Sequence, residues 1–174
     1  MELQVMILDD EYIILDGLCS FPWSDYGYQV AATAKNGLEG LEKLEHIKPD
    51  LILTDVRMPG MDGLDFAERA HEMYPDTVIV ILTGYDSFAY AQKAITIGVK
   101  EYLLKPIDYE ELKNMAARLA EEIHAKKMNS RRFGIYRNIL ISLYRNCDLN
   151  LQGIFSMGES REKVWCRSRR NPSN

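Results

Sequence analysis

Short runs of apolar residues recur in the N-terminal part of the chain, at residues 3–8, 29–34, 51–54, 78–83 and 102–104. Most of these runs are apolar at almost every position and lack the alternation of a strand with one face in water. This pattern indicates strands that are buried on both faces, as in a parallel sheet. The sequence therefore predicts a core sheet of five strands.

Helical periodicity fills the segments between these strands, at residues 12–19, 37–47, 65–73 and 88–97, and follows the last strand. The regular alternation of strands and helices predicts a doubly wound α/β fold with right-handed crossovers. The side chains predicted to face the core are Ile14, Leu15, Leu18, Leu38, Leu41, Leu44, Phe66, Ala70, Met73, Phe88, Ala91, Ile95, Leu112, Met115, Leu119 and Ile123.

The charge is distributed unevenly along the 174 residues. Residues 1–127 carry 12 Lys and Arg against 23 Asp and Glu, a net charge of −11, whereas residues 128–174 carry 9 against 3, a net charge of +6. We expect a first domain over residues 1–127, whose negative field would repel nucleic acid. Residues 128–150 are predicted to form an amphipathic linker helix, or alternatively a helix that packs on the first domain, and residues 151–174 a disordered basic tail.

Several classes of protein are disfavoured by what the sequence contains. The longest strictly apolar stretch, residues 78–82, is far too short to span a bilayer. The N-terminus lacks the basic and apolar regions of a signal peptide. Cys19, Cys147 and Cys166 are odd in number and lack metal-ligand spacing, which favours a reducing cytoplasm.

Polar residues with related chemistry follow the predicted strands. Asp9 and Asp10 come directly after the first strand, Asp55 after the third, Thr83 ends the fourth and Lys105 follows the fifth. Ligands of an open α/β sheet bind outside the carboxyl ends of its strands, so these side chains are expected to meet. Clustered carboxylates need a counter-charge, and a hard divalent ion such as Mg²⁺ suits oxygen ligands of this kind.

The chemistry expected of this cluster is phosphoryl transfer to a carboxylate. An Asp can act as a nucleophile and form an acyl phosphate, and Asp55 stands alone at the tip of its strand. Mg²⁺ and Lys105 would neutralise the charge on the phosphoryl oxygens. A plainer interpretation holds for single positions, since Asp10 could cap the first helix and Asp62 the third.

Four motifs together resemble the receiver domain of two-component response regulators: "ILDDE" (7–11), "TDVRMPGMDGLDF" (54–66), "ILTGY" (81–85) and "GVKEYLLKP" (98–106). The resemblance covers about residues 1–125. Among receivers, the sequence is most similar to those that precede an arabinose-regulator-type helix-turn-helix domain. The resemblance implies a flavodoxin-like strand order of 2-1-3-4-5, followed here by an extra helix and tail.

The resemblance assigns the metal and acceptor positions. Asp55 matches the phosphoacceptor of the family. Asp10 is expected to ligate Mg²⁺ directly and Asp9 through water, and Arg57 stands where a backbone carbonyl completes the metal site. A matching residue at each of these positions implies a cofactor, Mg²⁺, and a modification, aspartyl phosphate.

Three further positions match those that respond to the phosphoryl group. Thr83 corresponds to the hydroxyl that binds it, and Lys105 to the family lysine, whose bond to Pro106 is expected to be cis. Tyr102 matches an aromatic switch residue, with a plain strand aromatic packed under the last helix as the alternative. In the family, this switching changes the face formed by the fourth helix, the fifth strand and the fifth helix.

The resemblance also implies partners. A sensor histidine kinase would donate the phosphoryl group, the chain would catalyse only its own phosphorylation and dephosphorylation, and the altered face would support a phosphorylation-dependent homodimer. DNA would be bound only through an output domain that this chain is expected to lack by truncation. One alternative is a phosphohydrolase of the haloacid-dehalogenase type, although Arg57 stands where that class needs a second Asp. Another is a receiver that docks without phosphorylation.

Overall fold

The computed structural model of the protein describes residues 2–84 and 88–130, with side chains at residues 2–84 and 92–130. Most of them belong to one compact unit, Met1–Lys126. Nearly all of the predicted linker helix and the whole basic tail lie outside the described residues, so those predictions stand as made. Within the described part of the chain, no helix combines the length and apolar character needed to cross a bilayer.

The predicted sheet is confirmed. Its strands are β1 (Leu3–Leu8), β2 (Tyr28–Ala34), β3 (Leu51–Asp55), β4 (Val78–Thr83) and β5 (Glu101–Leu104). All neighbouring pairs are parallel, and the strand order is β2-β1-β3-β4-β5. Every strand therefore points its carboxyl end towards the same edge, which is the edge expected to carry the site.

Helices connect the strands at the predicted places. They are α1 (Tyr12–Cys19), α2 (Gly37–Ile47), α3 (Gly63–Met73), α4 (Phe88–Ile97) and α5 (residues 109–130). A short 3-10 helix, Trp23–Tyr26, precedes β2 and was not predicted by the periodicity of the sequence. It leads through Gly27, whose φ of 78° lies in the left-handed region that favours glycine.

Alternate residues of each strand serve two separate hydrophobic cores. On one face of the sheet, Val5 and Leu53 pack with α1 and α5, and on the other, Met6 and Ile52 pack with α2, α3 and α4. Burial of a large apolar side chain contributes about 1.5–3 kcal/mol. Because both faces are covered by helices, the strands need apolar residues at every position, which explains their continuous apolar runs.

Polar side chains define where the helices begin. Asp62 caps α3 by accepting a hydrogen bond from the backbone N–H of Asp65 at 2.8 Å, as its position predicted. Asp108 caps α5 in the same way, from the N–H groups of two residues in the first turn. The residue before α1 is Glu11, without a side-chain cap. Asp10 is therefore not the cap of α1, and the plainer interpretation of this residue is wrong.

Three of the predicted core stripes, those of α2, α3 and α4, are partly wrong. Leu38 of α2 is 54% exposed, and this helix buries Gly37 and Gly40 together with Leu44, which was predicted correctly. A Cβ at Gly40 would lie only 2.5 Å from the Leu8 side chain, so the helix packs too closely on the sheet for a larger residue there. In the same way, Met73 of α3 and Ile95 of α4 are exposed, and Ala94 faces the core in place of Ile95.

Candidate functional site

The carboxyl ends of β1, β3, β4 and β5 bring the predicted side chains together. Leu8 pairs with Thr54, which places Asp9 beside Asp55 on neighbouring strands. Thr83 is paired with the last residue of β5, so Lys105 follows beside it. The backbone N–H of Lys105 donates to the carbonyl of Thr83 at 2.7 Å.

Lys105 is the centre of the charged cluster. Its Nζ lies 2.7 Å from Oδ2 of Asp9 and 2.7 Å from Oδ1 of Asp55. A third carboxylate, that of Glu11, has Oε1 at 3.8 Å from the same nitrogen. The Lys105–Pro106 peptide bond is cis, the isomer that the resemblance implied. One ammonium group thus joins two carboxylates from different strands and lies close to a third.

Burial removes the charged groups of this cluster from water, which disfavours their charged forms. Asp9 is fully buried, and Lys105 is 12% exposed at its side chain. Burial raises the pKa of Asp9 above its ordinary value, against the lowering effect of Lys105. Burial also opposes the charge of Lys105, but its hydrogen bonds to Asp55 and Asp9 prevail and raise its pKa. Lys105 is therefore a persistent cation in the cluster.

Backbone contacts fix the orientation of the Asp55 carboxylate. Its Oδ2 accepts a hydrogen bond from the N–H of Arg57 at 2.6 Å. The loop after β3 is itself held by the N–H of Gly63, which donates to the carbonyl of Val56 at 2.9 Å. A Cβ at Gly63 would overlap the carbonyl oxygen of Asp55. A glycine here permits the start of α3 to approach the end of β3.

An open cleft of about 350 Å³ leads to Asp55. Asp10 and Glu11 line it from one side, Thr83 and Lys105 from another, and both acids are exposed to solvent. Three acidic residues line the cleft against two basic residues, Arg57 and Lys105, so an excess of negative charge remains that favours a cation. The cleft therefore has an acidic entrance, and the carboxylate cluster behind it is only partly neutralised by Lys105.

The donors of the cleft fit Mg²⁺ with few protein ligands. Among the described side chains, no three His, Cys, Asp or Glu residues form a ready metal cluster. Asp10 and Asp55 both line the cleft. Mg²⁺ commonly uses one or two carboxylates and keeps several waters, so this smaller set matches its needs.

The two predicted switch residues have different surroundings. Thr83 is buried, with 1% of its surface exposed, and lines the cleft. Tyr102 is half-buried and packs against the core that contains Ile81 and Ala94. Tyr102 therefore contacts the core on the α4 side of the sheet, and β4 lies between its strand and β3.

Two features of the site were not identified from the sequence. Glu11 was quoted within the acidic motif but given no role, although its place next to Asp10 was a usable signal. The close approach of Gly63 to Asp55 depends on the path of the loop, which no short motif of hydrophobic and polar residues reveals.

A comparison with protein families finds the model of the response regulator receiver domain over residues 5–117. That match covers more than half of the chain, which therefore belongs to the response regulator receiver family of two-component signalling. The predicted family is confirmed, and this assignment takes precedence over the phosphohydrolase alternative.

Curated relatives are transcriptional regulators. The uncharacterized transcriptional regulatory protein YesN of Bacillus subtilis is 38% identical over 130 residues, covering 71% of this chain and 35% of the relative. The transcriptional regulatory protein HptR of Staphylococcus aureus is 38% identical over 121 residues, covering 69% of this chain and 47% of the relative. The chain thus spans half or less of the length of these relatives.

Solved structures agree with the fold. The receiver domain of AraT, a response regulator from Geobacillus stearothermophilus, has a TM-score of 0.69 at 38% identity, covering 73% of this chain and 99% of that one. A two-component transcriptional regulator, AraC from Clostridium phytofermentans, has a TM-score of 0.67 at 28% identity, covering 72% and 98%. The predicted similarity to receivers of this regulator type is confirmed.

Proposed function

We propose that Asp55 accepts a phosphoryl group from a phosphohistidine of a sensor histidine kinase. The observation that carries the proposal is the position of its carboxylate in the acidic cleft, between Lys105 Nζ at 2.7 Å and the N–H of Arg57 at 2.6 Å. These two donors fix the carboxylate in one orientation, so little ordering remains to be done when a donor arrives.

The transfer requires only the exchange of one bond to phosphorus. An oxygen of Asp55 attacks the phosphorus, the nitrogen–phosphorus bond of the phosphohistidine breaks, and the product is an acyl phosphate. Lys105 remains protonated throughout, because its pKa is raised, and offsets the negative charge of the phosphoryl oxygens. Attack of water on the same phosphorus later releases inorganic phosphate and restores Asp55.

Asp10, Asp55 and the backbone carbonyl of Arg57 are the groups that would hold Mg²⁺, with Asp9 acting through water. When bound, the ion would neutralise charge on the phosphoryl oxygens. Asp9 has a second role in this chain, since it is fully buried and holds Lys105 in place through a bond of 2.7 Å. Asp10 would therefore bind the metal directly, whereas Asp9 would act on it through water and also position Lys105.

The signal would pass from Asp55 to the face formed by α4, β5 and α5. Lys105 is hydrogen-bonded to Thr83 through the backbone, and Tyr102 lies in the strand that ends next to it. Movement of Thr83 and Lys105 towards the phosphoryl group would change the packing of Tyr102, which shifts the population between two states. We propose that the altered face forms a homodimer, which sedimentation of beryllofluoride-treated and untreated protein would test.

The length of the relatives supports a further part of the proposal. They extend well beyond the region matched here and are named as transcriptional regulators. We propose that residues 1–127 are the receiver part of such a regulator, that DNA is bound through an output domain outside this sequence, and that the reaction takes place in the cytoplasm, where kinase and receiver would meet.

Phosphorylation followed by intact mass spectrometry tests the proposal. The protein is incubated with phosphoramidate, with and without Mg²⁺, alongside Asp55→Asn and the exposed control Asp76→Asn. We expect a gain of one phosphoryl group in the wild type and in Asp76→Asn, only with Mg²⁺, and none in Asp55→Asn. Equal labelling of Asp55→Asn would overturn the assignment.

A further inference from the structure

We propose that Glu11 is a specificity-determining residue that disfavours small anionic phosphodonors at the acidic entrance. The inference rests on the proposed phosphorylation of Asp55. Its structural basis is the position of the Glu11 carboxylate, which lines the same cleft as Asp55 and lies 3.8 Å from Lys105.

The contacts of Glu11 separate it from the structural acids of the site. Its side chain is 68% exposed, so it contributes little to the core. Its backbone N–H donates to Oδ1 of Asp9 at 3.0 Å, a bond that any side chain at this position would retain. A change of its carboxylate therefore alters the charge of the entrance without removing the support of Asp9.

The effect on a donor follows from its charge. Acetyl phosphate approaches as a dianion, whereas phosphoramidate is a zwitterion with a single net negative charge. The Glu11 carboxylate repels the dianion more strongly, and it also competes for the cation of Lys105, which the incoming phosphoryl group needs. The repulsion therefore disfavours the more highly charged of the two small donors.

The magnitude is bounded by the exposure of the site. Two unit charges a few ångströms apart in water have an interaction free energy large enough to change a reaction rate about two- to fivefold. Salt screens such an interaction over about 10 Å at 0.1 M ionic strength. The preference is therefore expected to be largest at low ionic strength and to fade as salt is added.

The experiment compares phosphorylation rates with the two donors for wild type, Glu11→Gln and Glu11→Asp. The control is Glu121→Gln, an exposed acid about 18 Å along α5 from its start. Mg²⁺ is kept saturating for each protein, as set by its own titration. The readout is the ratio of the acetyl phosphate rate to the phosphoramidate rate, which a merely structural change would leave unaltered.

We expect Glu11→Gln to raise this ratio about two- to fivefold at low salt, and the increase to disappear at high salt. Glu11→Asp and Glu121→Gln should keep the wild-type ratio. An unchanged ratio in Glu11→Gln, in a protein whose wild type is phosphorylated on Asp55, would overturn this inference alone. A wild type that accepts no phosphoryl group from either donor would overturn the proposed function and this inference with it.

Discussion

Nζ of Lys105 lies 2.7 Å from Oδ2 of Asp9, a carboxylate that is fully buried. The same carboxylate also accepts a hydrogen bond from the backbone N–H of Glu11 at 3.0 Å. Removal of the lysine would leave a buried charge without its cationic partner, which costs far more than the pair itself contributes. Lys105 is therefore expected to support the fold in addition to its proposed role at Asp55.

Replacement of Lys105 by Met should destabilise the fold by about 3 kcal/mol at pH 7. The pKa of Asp9 is already raised by burial, and loss of the lysine raises it further. Because Asp9 binds its proton more tightly in the folded state, protonation of Asp9 stabilises the fold at low pH. This contribution is lost as the pH rises from 3.8, the ordinary pKa of Asp, through the raised pKa of Asp9 in the folded protein. The deficit should therefore shrink at about pH 4, as measured by urea unfolding across pH.

The matched control for that experiment is Lys126→Met. Lys126 pairs with Asp76 at 2.9 Å, and both side chains are more than half exposed. An exposed pair of this kind contributes about 0–1 kcal/mol. A deficit in Lys105→Met as small as in the control, or one that grows in acid, would contradict the role assigned to the Asp9 pair.

Binding of Mg²⁺ should stabilise the folded protein, because the acidic cleft exists in the folded state and not in the unfolded state. At an ion concentration 100 times the Kd the gain is about 2.7 kcal/mol, and a chelator should reverse it. Asp10→Asn removes a cleft carboxylate and should abolish most of the gain, whereas Asp76→Asn should retain it. Chemical unfolding with and without the ion measures the effect, and an equal gain in Asp10→Asn would place the ion elsewhere.

Substitution of Gly63 by Ala should be strongly destabilising. The added Cβ would overlap the carbonyl oxygen of Asp55, a backbone atom that cannot move aside as a flexible side chain could. We expect a loss of at least about 2 kcal/mol, as for other overpacked sites. The control is Gly17→Ala in α1, where the new Cβ meets nothing within 4 Å, and which should gain about 0.5–1 kcal/mol. Thermal unfolding that ranks both variants alike would contradict this packing.

Removal of the Tyr28 hydroxyl should stabilise the protein. The ring is 2% exposed and packs edge-on against Trp23, and its hydroxyl has no hydrogen-bond partner among the described residues. An unsatisfied buried polar group costs about 1–3 kcal/mol, so Tyr28→Phe should raise the free energy of unfolding by about 1 kcal/mol. Tyr26→Phe, at a partly exposed ring, serves as the control. A loss of stability in Tyr28→Phe would show that the hydroxyl is satisfied.

The strands could be predicted closely from the sequence because burial on both faces leaves a continuous apolar run. The bounds of β1 and β4 were predicted to the residue. The inward faces of the helices were harder to predict. In α2, Gly37 and Gly40 occupy the core side because Met61 and Phe66 press against them. A count of apolar residues favours Leu38 there, and only the packing partners show that it lies outside.

The site, too, could be predicted only in part from the sequence. That Asp9, Asp55 and Lys105 would meet followed from their places after parallel strands, since the topology brings those ends to one edge. Which carboxylate pairs with the lysine did not follow, because it depends on how deeply each one is buried. Asp9 is enclosed whereas Asp10 is exposed, and adjacent identical residues in a sequence give no sign of that difference.

Reductive trapping of the phosphorylated protein tests the central claim most directly. Borohydride converts an aspartyl phosphate into homoserine, and peptide sequencing by mass spectrometry locates the converted residue. After treatment with phosphoramidate and Mg²⁺, we predict homoserine at position 55 and at no other acid, including the neighbouring Asp9, Asp10 and Glu11. Homoserine at one of those acids in place of Asp55, or a phosphorylated protein without any homoserine, would contradict the account.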